Sequence, residues 1–106
     1  MASGLLAAVD IAVNNYTQIY EAPSNTFSVV TVSVCNRGST NADIRLTLSN
    51  DFPPTSEHYL EFDTSLLAKG VLERTGIVVA AGQKIGARST SADVSIVVYG
   101  IETQTV

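Results

Sequence analysis

The sequence predicts an all-β protein, an antiparallel β-sandwich or jelly roll of about seven to eight strands. From Thr17 onward, short runs rich in Val, Ile and Thr alternate apolar with polar side chains, and this period is typical of half-buried strands. Turns that contain Gly, Asn or Pro separate these runs at intervals of about ten residues. No amphipathic pattern of helical length follows Asn15, so no long helix is expected.

Residues 1–15 are interpreted as an N-terminal arm that precedes a single sandwich domain over 16–106. The apolar positions of the arm fit a helix face or a strand, and we favour an extended segment. Such a segment can dock on a neighbouring subunit or supply an edge strand of its own domain, and both interpretations stay open. The side chains that would form the subunit contact are Leu5, Leu6, Val9, Ile11 and Val13.

The clearest strands are predicted over 28–36 and 42–50. The first carries its most apolar side chains at alternate positions, and the second alternates apolar with polar residues throughout, so each has one face toward the core. In the second strand the outward residues are Asp43, Arg45, Thr47 and Ser49. The Asn and Gly at 36–39 predict a hairpin turn between the two strands.

Further strands are predicted over 58–66, 71–80, 84–89 and 93–102. Adjacent prolines make 50–57 the longest loop, because proline lacks the N–H that a central strand requires. The segment 81–83 again indicates a hairpin. The predicted core consists of Val30, Val32, Val34, Ile44, Leu46, Leu48, Leu60, Phe62, Val94, Ile96 and Val98.

Composition limits the possible functions. A chain of 106 residues can form one domain with a modest core. Its 45% hydrophobic content excludes disorder, and a formal net charge of −4 without clustered cations argues against a nucleic-acid ligand. One Cys and one His cannot build the common zinc sites. No cofactor is therefore expected. No apolar run approaches the roughly 20 residues of a membrane span, so no membrane partner is expected either.

No side-chain pattern predicts an enzyme. His58 is the one possible base of a triad, and no G-x-S-x-G motif supplies a nucleophile. Glu61 and Asp63 are two residues apart on a predicted strand, where solvated carboxylates are more common than an acid/base pair or a cation site. A sugar-stacking platform is the alternative to core and sheet packing for the tyrosines, which are Tyr16, Tyr20, Tyr59 and Tyr99.

Glu73 and Arg74 are adjacent charged residues within a predicted strand. Neighbouring residues of a strand point to opposite faces, so both cannot face solvent if one face is core. One of the two is therefore expected to be paired or to lie in a contact between subunits, and both are candidate interface residues. An edge-strand position is the other interpretation.

Several segments resemble a family of small β-rich virion proteins of tailed bacteriophages. The matching segments are HYLEFDT at 58–64, GVLERTGIVV at 70–79, AGQKI at 81–85 and DVSIVVYGIE at 93–102, with VCNRGST at 34–40 and YEAP at 20–23 upstream. Gln83 and Ala87 depart from the pattern of that family, which usually has a carboxylate and a β-branched residue there.

The resemblance implies a non-enzymatic structural protein of the virion, made in the host bacterial cytoplasm. It would be a decoration or cement protein that binds the major capsid protein on the outer surface of the shell, as a homotrimer. A tail, baseplate or fibre location is the alternative. The short chain without fibre repeats favours decoration. A carbohydrate-binding module is the second alternative, which an exposed aromatic cluster would favour.

Overall fold

The computed structural model describes residues 3–105 and confirms the all-β prediction. Within that range the strands are β1 (Ser3–Asp10), β2 (Thr17–Glu21), β3 (Thr26–Asn36), β4 (Ala42–Ser49), β5 (Tyr59–Leu66), β6 (Val71–Val79), β7 (Lys84–Ser89) and β8 (Val94–Gln104). A single 3₁₀ turn, Ser56–His58, precedes β5. Among the described residues no helix is long and apolar enough to cross a membrane.

The strands form two antiparallel four-stranded sheets with the core between them. Sheet 1 has the order β1-β8-β3-β6 and sheet 2 the order β2-β7-β4-β5. The pairs β1·β8, β2·β7, β3·β6 and β4·β5 are all antiparallel. The chain therefore forms one long antiparallel hairpin whose tip is the β4–β5 loop. This hairpin is folded over so that its strands form two layers. This arrangement is a jelly roll.

Both predicted hairpins are wrong. β3 and β6 lie in sheet 1, whereas the strands that follow them, β4 and β7, lie in sheet 2. The turns at 36–39 and 81–83 are therefore crossovers between layers. Short turns with Gly and Asn serve either connection. The alternation of apolar and polar residues indicates which face of a strand is buried, but it does not indicate which other strand pairs with that strand.

The crossover after β3 is held by the buried side chain of Asn36. Its Nδ2 donates to the carbonyl oxygens of Thr40 at 2.9 Å and Leu66 at 3.2 Å, and its Oδ1 accepts the N–H of Gly38 at 3.0 Å. Leu66 ends β5 in the opposite sheet. One amide thus joins the end of a sheet 1 strand to a sheet 2 strand.

Replacing Asn36 by alanine is expected to lower the free energy of unfolding by about 2 kcal/mol, because three backbone groups lose their partner and the site is buried. Urea denaturation followed by circular dichroism measures the loss. The exposed Ser39→Ala change in the same connection is the control and should cost little. Equal, small losses in both variants would contradict this role of Asn36.

Most of the predicted core is confirmed. Leu48 and Leu60 are only partly buried but pack against the core. The assignment of Phe62 to the core is wrong, because its side chain is 57% exposed. The buried members of the prediction are Val30, Val32, Val34, Ile44, Leu46, Val94, Ile96 and Val98.

Bulges in β5 explain the error at Phe62. Between the pairs Ile44↔Thr64 and Leu46↔Glu61, β5 contains one residue more than β4, and a second extra residue follows before Tyr59. Asp63 at the first bulge has a positive φ of 54°. Each extra residue reverses the inward and outward alternation, so Phe62 turns outward.

Thr47 is outward by the sequence pattern, but the structure buries it completely. The covering group is Phe52, from the proline-containing loop. A Cβ placed on Gly86 would lie 2.4 Å from the Phe52 ring and 2.9 Å from the Thr47 hydroxyl. The ring therefore occupies the space over Gly86 and beside Thr47, and part of the outer face of sheet 2 is covered by the chain's own loop.

Ser49, also predicted outward, is buried too, and its hydroxyl donates to the carbonyl of Asp51 at 2.6 Å.

The N-terminal segment lies on its own domain in this structure. β1 pairs with β8 at the edge of sheet 1, and Ile11 is buried in the core. This is the position that the edge-strand interpretation gives to the segment. The division of the chain at residue 15, and docking of the arm on another subunit, stay predictions.

Deleting residues 1–10 tests the two interpretations. Loss of β1 removes a ladder to β8 and uncovers core side chains, so we expect the melting temperature to fall by several degrees. Thermal melts of the full-length and truncated proteins measure the change. An unchanged melting temperature together with weaker self-association would instead support an arm that serves a neighbouring subunit.

Candidate interaction surfaces

Aromatic and arginine side chains meet on the outer face of sheet 2. We call this group the aromatic–arginine cluster; its members are Tyr16, Arg45, Tyr59, Phe62, Asp63 and Arg88. Arg45 binds Asp63 through two hydrogen bonds, Nε to Oδ1 at 2.7 Å and Nη2 to Oδ2 at 3.1 Å. The guanidinium lies 4.2 Å from the centroid of the Phe62 ring, a cation–π contact. Asp63 thus fixes the arginine on which Phe62 packs.

The cluster is completed by two tyrosines from distant parts of the chain. The hydroxyls of Tyr16 and Tyr59 share a hydrogen bond, and Arg45 Nη1 donates to the Tyr16 hydroxyl at 3.2 Å. Tyr59 meets Phe62 edge-on, with ring centroids 4.8 Å apart. Arg88 lies 5.8 Å from the Tyr16 ring centroid. Each side chain of the cluster therefore restricts the conformations that its neighbour can adopt.

The charges shift the pKa values within the cluster. The hydrogen bond from Arg45 holds the pKa of the Asp63 carboxyl below its usual range. Burial alone would raise the pKa of Tyr16, but the hydrogen bonds from Tyr59 and Arg45 and the nearby arginine charges outweigh it and lower that pKa. Donation to Tyr16 raises the pKa of Tyr59. Asp63 is thus an ionised carboxylate that is held by Arg45.

The predicted tyrosine platform is only partly assembled. Tyr16 and Tyr59 lie together, Tyr20 is buried in the core, and Tyr99 lies on sheet 1, where its hydroxyl donates to Glu73 at 3.1 Å. Sequence reasoning missed the roles of Arg45 and Phe62. Alternation did place Arg45 outward, but no local signal indicates the β5 bulges that bring Phe62 to the same surface.

Tyr20 closes a buried polar network instead. Its hydroxyl donates to Glu102 Oε2 at 2.5 Å and accepts from the Ser28 hydroxyl at 2.5 Å. Burial and the bond to the Glu102 carboxylate raise the pKa of Tyr20 to about 12. The network joins β2 of sheet 2 to β3 and β8 of sheet 1.

Stability should therefore decline at alkaline pH through Tyr20. Its unfolded pKa is 10.0 and its folded pKa is higher, so the stabilisation is complete below pH 10 and is lost as pH rises toward about 12. We expect a loss of about 2 kcal/mol over that interval. Urea denaturation across this range should show a smaller decline for Tyr20→Phe, although that variant starts less stable. Identical declines would contradict the assignment.

The candidate catalytic residues do not converge. His58 Nδ1 accepts the backbone N–H of Thr55 at 3.0 Å, a contact within the 3₁₀ turn. Glu61 pairs with Arg74 at 2.7 Å, while Asp63 pairs with Arg45, so the two carboxylates do not form one site. Over residues 3–105, no group of three or more His, Cys, Asp or Glu side chains is placed to hold a metal ion.

The predicted interface residues do not share one edge: β1 and β6 are opposite edges of sheet 1, and Val13 bridges to Ser89 of β7 in sheet 2. In the N-terminal segment, Leu6 and Ile11 contact the core, whereas the other members, Leu5, Val9 and Val13, are exposed. On β6, Arg74 pairs with Glu61 of β5, so the ion pair links edge strands of the two sheets. Glu73 is exposed on the outer face. The structure does not bring these residues into one patch, and their contact with another subunit stays a prediction.

The outer face of sheet 1 exposes a group of large apolar side chains, which we call the apolar face. Its members, with their exposed fractions, are Leu5 (66%), Val29 (43%), Val78 (56%), Tyr99 (39%) and Ile101 (59%). In the strand register Val29 is directly opposite both Val78 and Ile101, and Leu5 is opposite Tyr99. These side chains are therefore neighbours across all four strands of sheet 1.

Similarity to known proteins is weak. No protein-family model matches the sequence, and no curated protein matches it. Two crystal structures of a pentameric capsid protein isolated from metagenomic phage sequences align with this chain at 17% sequence identity and a TM-score of 0.45. The alignment covers 93% of this chain, which spans 64% of the length of that capsid protein. At this level of similarity the comparison carries no argument about function.

Proposed function

We propose that this protein is a non-enzymatic structural component of a tailed-phage virion, and that it decorates the outer surface of the capsid. The structural observation behind the proposal is the jelly-roll strand order, an architecture that viral capsid domains share with lectins and cupins. The sequence segments that resemble small phage virion proteins, above all 58–64 and 70–79, favour the phage class over the others.

In this role the chemistry is that of binding alone. Each copy contacts the major capsid protein and stabilises the assembled shell, since a ligand that binds only the assembled state shifts the equilibrium toward it. The exposed candidates for contact with other subunits are Leu5, Val9, Val13 and Glu73. The proposal needs no cofactor. Self-association as a homotrimer is the assembly that the resemblance implies.

The copy number in purified particles tests the proposal. Quantitative mass spectrometry of the phage that encodes the chain should find hundreds of copies, counted against the major capsid protein. A handful or a few dozen would assign the protein to the tail, baseplate or fibre instead. Its absence from the particle would overturn the proposal.

A carbohydrate-binding module is the second candidate, and the aromatic–arginine cluster favours it. Phe62 is the most exposed of the rings in the cluster, and an exposed ring can stack on a sugar. Screening the protein and its Phe62→Ala variant against a panel of bacterial surface glycans tests this function. Binding that disappears in the variant would support it, whereas no binding by either protein would remove it.

A further inference from the structure

The edges of both sheets are unsuited to pairing with another chain. β1 carries an extra residue between Leu5 and Ala7, and β2 carries one between Gln18 and Tyr20. β6 and β5 are bulged as well, whereas the β3·β8 and β4·β7 ladders between interior strands run without a shift. Bulges confined to the edge strands discourage the addition of a strand from another molecule. A sheet face is therefore better suited than a sheet edge to contact between copies of this chain.

The apolar face is the surface left open. The outer face of sheet 2 is partly covered by Phe52 and carries the mutually bonded groups of the aromatic–arginine cluster. Val29, Val78 and Ile101 of sheet 1 are instead 43%, 56% and 59% exposed. Contiguous exposed apolar surface on a folded domain is typical of an interaction site.

The same face also carries a shallow depression. An open groove of about 290 Å³ lies along β1 and β8 and is lined by 8–10 and 95–97. Ser95 and Val97 point outward, because their neighbours Val94, Ile96 and Val98 are buried. The projecting Val29 and Ile101 lie toward one end of the face and the groove toward the other. A two-fold axis that lies in the plane of the interface, midway between the projections and the groove, places each projection against the groove of the other copy.

The size of the face favours a partner that is as broad and as flat as the face itself. Four strands about 4.8 Å apart, with about ten residues each at a rise of about 3.3 Å, make a flat face of about 600 Å². A standard interface buries about 800 Å² of each partner, which exceeds the flat area of this face, so the contact has to cover the whole face and the side chains at its rim, against an equally flat surface. Charged residues of this face lie on its edge strands, where Asp10 of β1 pairs with Arg37 at 2.8 Å and Glu73 of β6 accepts the Tyr99 hydroxyl. Another copy of sheet 1 meets these requirements.

We propose that the outer face of sheet 1 is a two-fold interface between two copies of this chain. A patch that contacts the same patch on its partner is closed by a two-fold axis. The protein is therefore a dimer in solution, in place of the trimer that the sequence resemblance implies. This inference does not rest on the virion role, and a measurement on the isolated protein decides it separately.

Sedimentation equilibrium of the full chain tests the interface. The wild-type protein should have twice the chain mass of 11.2 kDa at high micromolar concentration. Ile101→Lys and Val29→Lys should each raise the dimer dissociation constant by about tenfold or more. Leu67→Lys is the matched control, because Leu67 is 63% exposed in a turn outside this face. Melting curves verify that each variant is folded.

The single thiol supplies a second measurement. Cys35 is half-buried and outward on β3, opposite Ser95, so dimerisation should slow its alkylation as the protein concentration rises. Ile101→Lys should remove that concentration dependence. A monomer at all concentrations, a trimer or pentamer, or a dimer that both lysine variants leave intact would overturn the proposal.

Discussion

Replacing Gly100 by alanine is expected to lower the free energy of unfolding by more than about 4 kcal/mol, the range of severe core disruption. Gly100 lies in β8, between β1 and β3. A Cβ at this position would be 2.1 Å from the carbonyl oxygen of Val29 and 2.8 Å from the Cα of Val30. Both are backbone atoms of an interior strand, so the methyl group fits only if the β3·β8 ladder separates.

Gly82→Ala is the matched control for Gly100→Ala. Gly82 has a positive φ of 80°, but no atom lies within 4 Å of the position that an added methyl group would take, so only backbone strain of about 1 kcal/mol applies. Urea denaturation measures both variants, and soluble yield with far-UV circular dichroism registers a Gly100→Ala protein that does not fold. A Gly100→Ala protein as stable as Gly82→Ala would show that β3 and β8 leave room for a side chain between them.

Alternation in the sequence predicts the inward side chains of the interior strands well and fails at the bulged edge strand β5. Val30, Val32 and Val34 of β3 alternate without interruption because β3 is paired on both sides. In β5 the bulges near Asp63 reverse the pattern, and alternation assigns Phe62 to the wrong face for that reason. The only local indication of a bulge in the sequence is a residue that tolerates positive φ, and a single aspartate such as Asp63 is not enough to predict one.

Long-range placement is the other part that local patterns do not supply. The crossovers at 36–39 and 81–83 have the composition of hairpin turns. Nothing in a turn of three or four residues specifies which sheet the next strand joins. The aromatic–arginine cluster joins Tyr16 near the N-terminus to Arg45 and to residues of β5. Such a cluster depends on the order of the strands in the sheets. The jelly-roll topology determines that order, and the residue alternation within each strand does not.

Replacing Leu46 by alanine is expected to cost about 3 kcal/mol of the free energy of unfolding, because truncation of a fully buried leucine loses apolar burial and leaves a cavity. Leu46 is completely buried in β4, which is paired with β5 on one side and β7 on the other. Neighbouring strands hold the backbone in place, so the surroundings can relax little. Chemical denaturation of the variant and the wild type measures the difference.

The neighbouring Thr47 makes the Leu46 experiment diagnostic of both faces of β4. The sequence predicts almost no cost for Thr47→Ala, whereas the structure buries Thr47 under Phe52 and lets its hydroxyl donate to the Gly86 carbonyl at 3.3 Å. We therefore expect Thr47→Ala to cost about 1 kcal/mol. Thr47→Val keeps the shape and removes only the hydroxyl, so it separates the hydrogen bond from the packing. If Thr47→Ala costs nothing while Leu46→Ala costs its full amount, the Phe52 loop does not cover sheet 2, and the outer face of β4 is free for a partner.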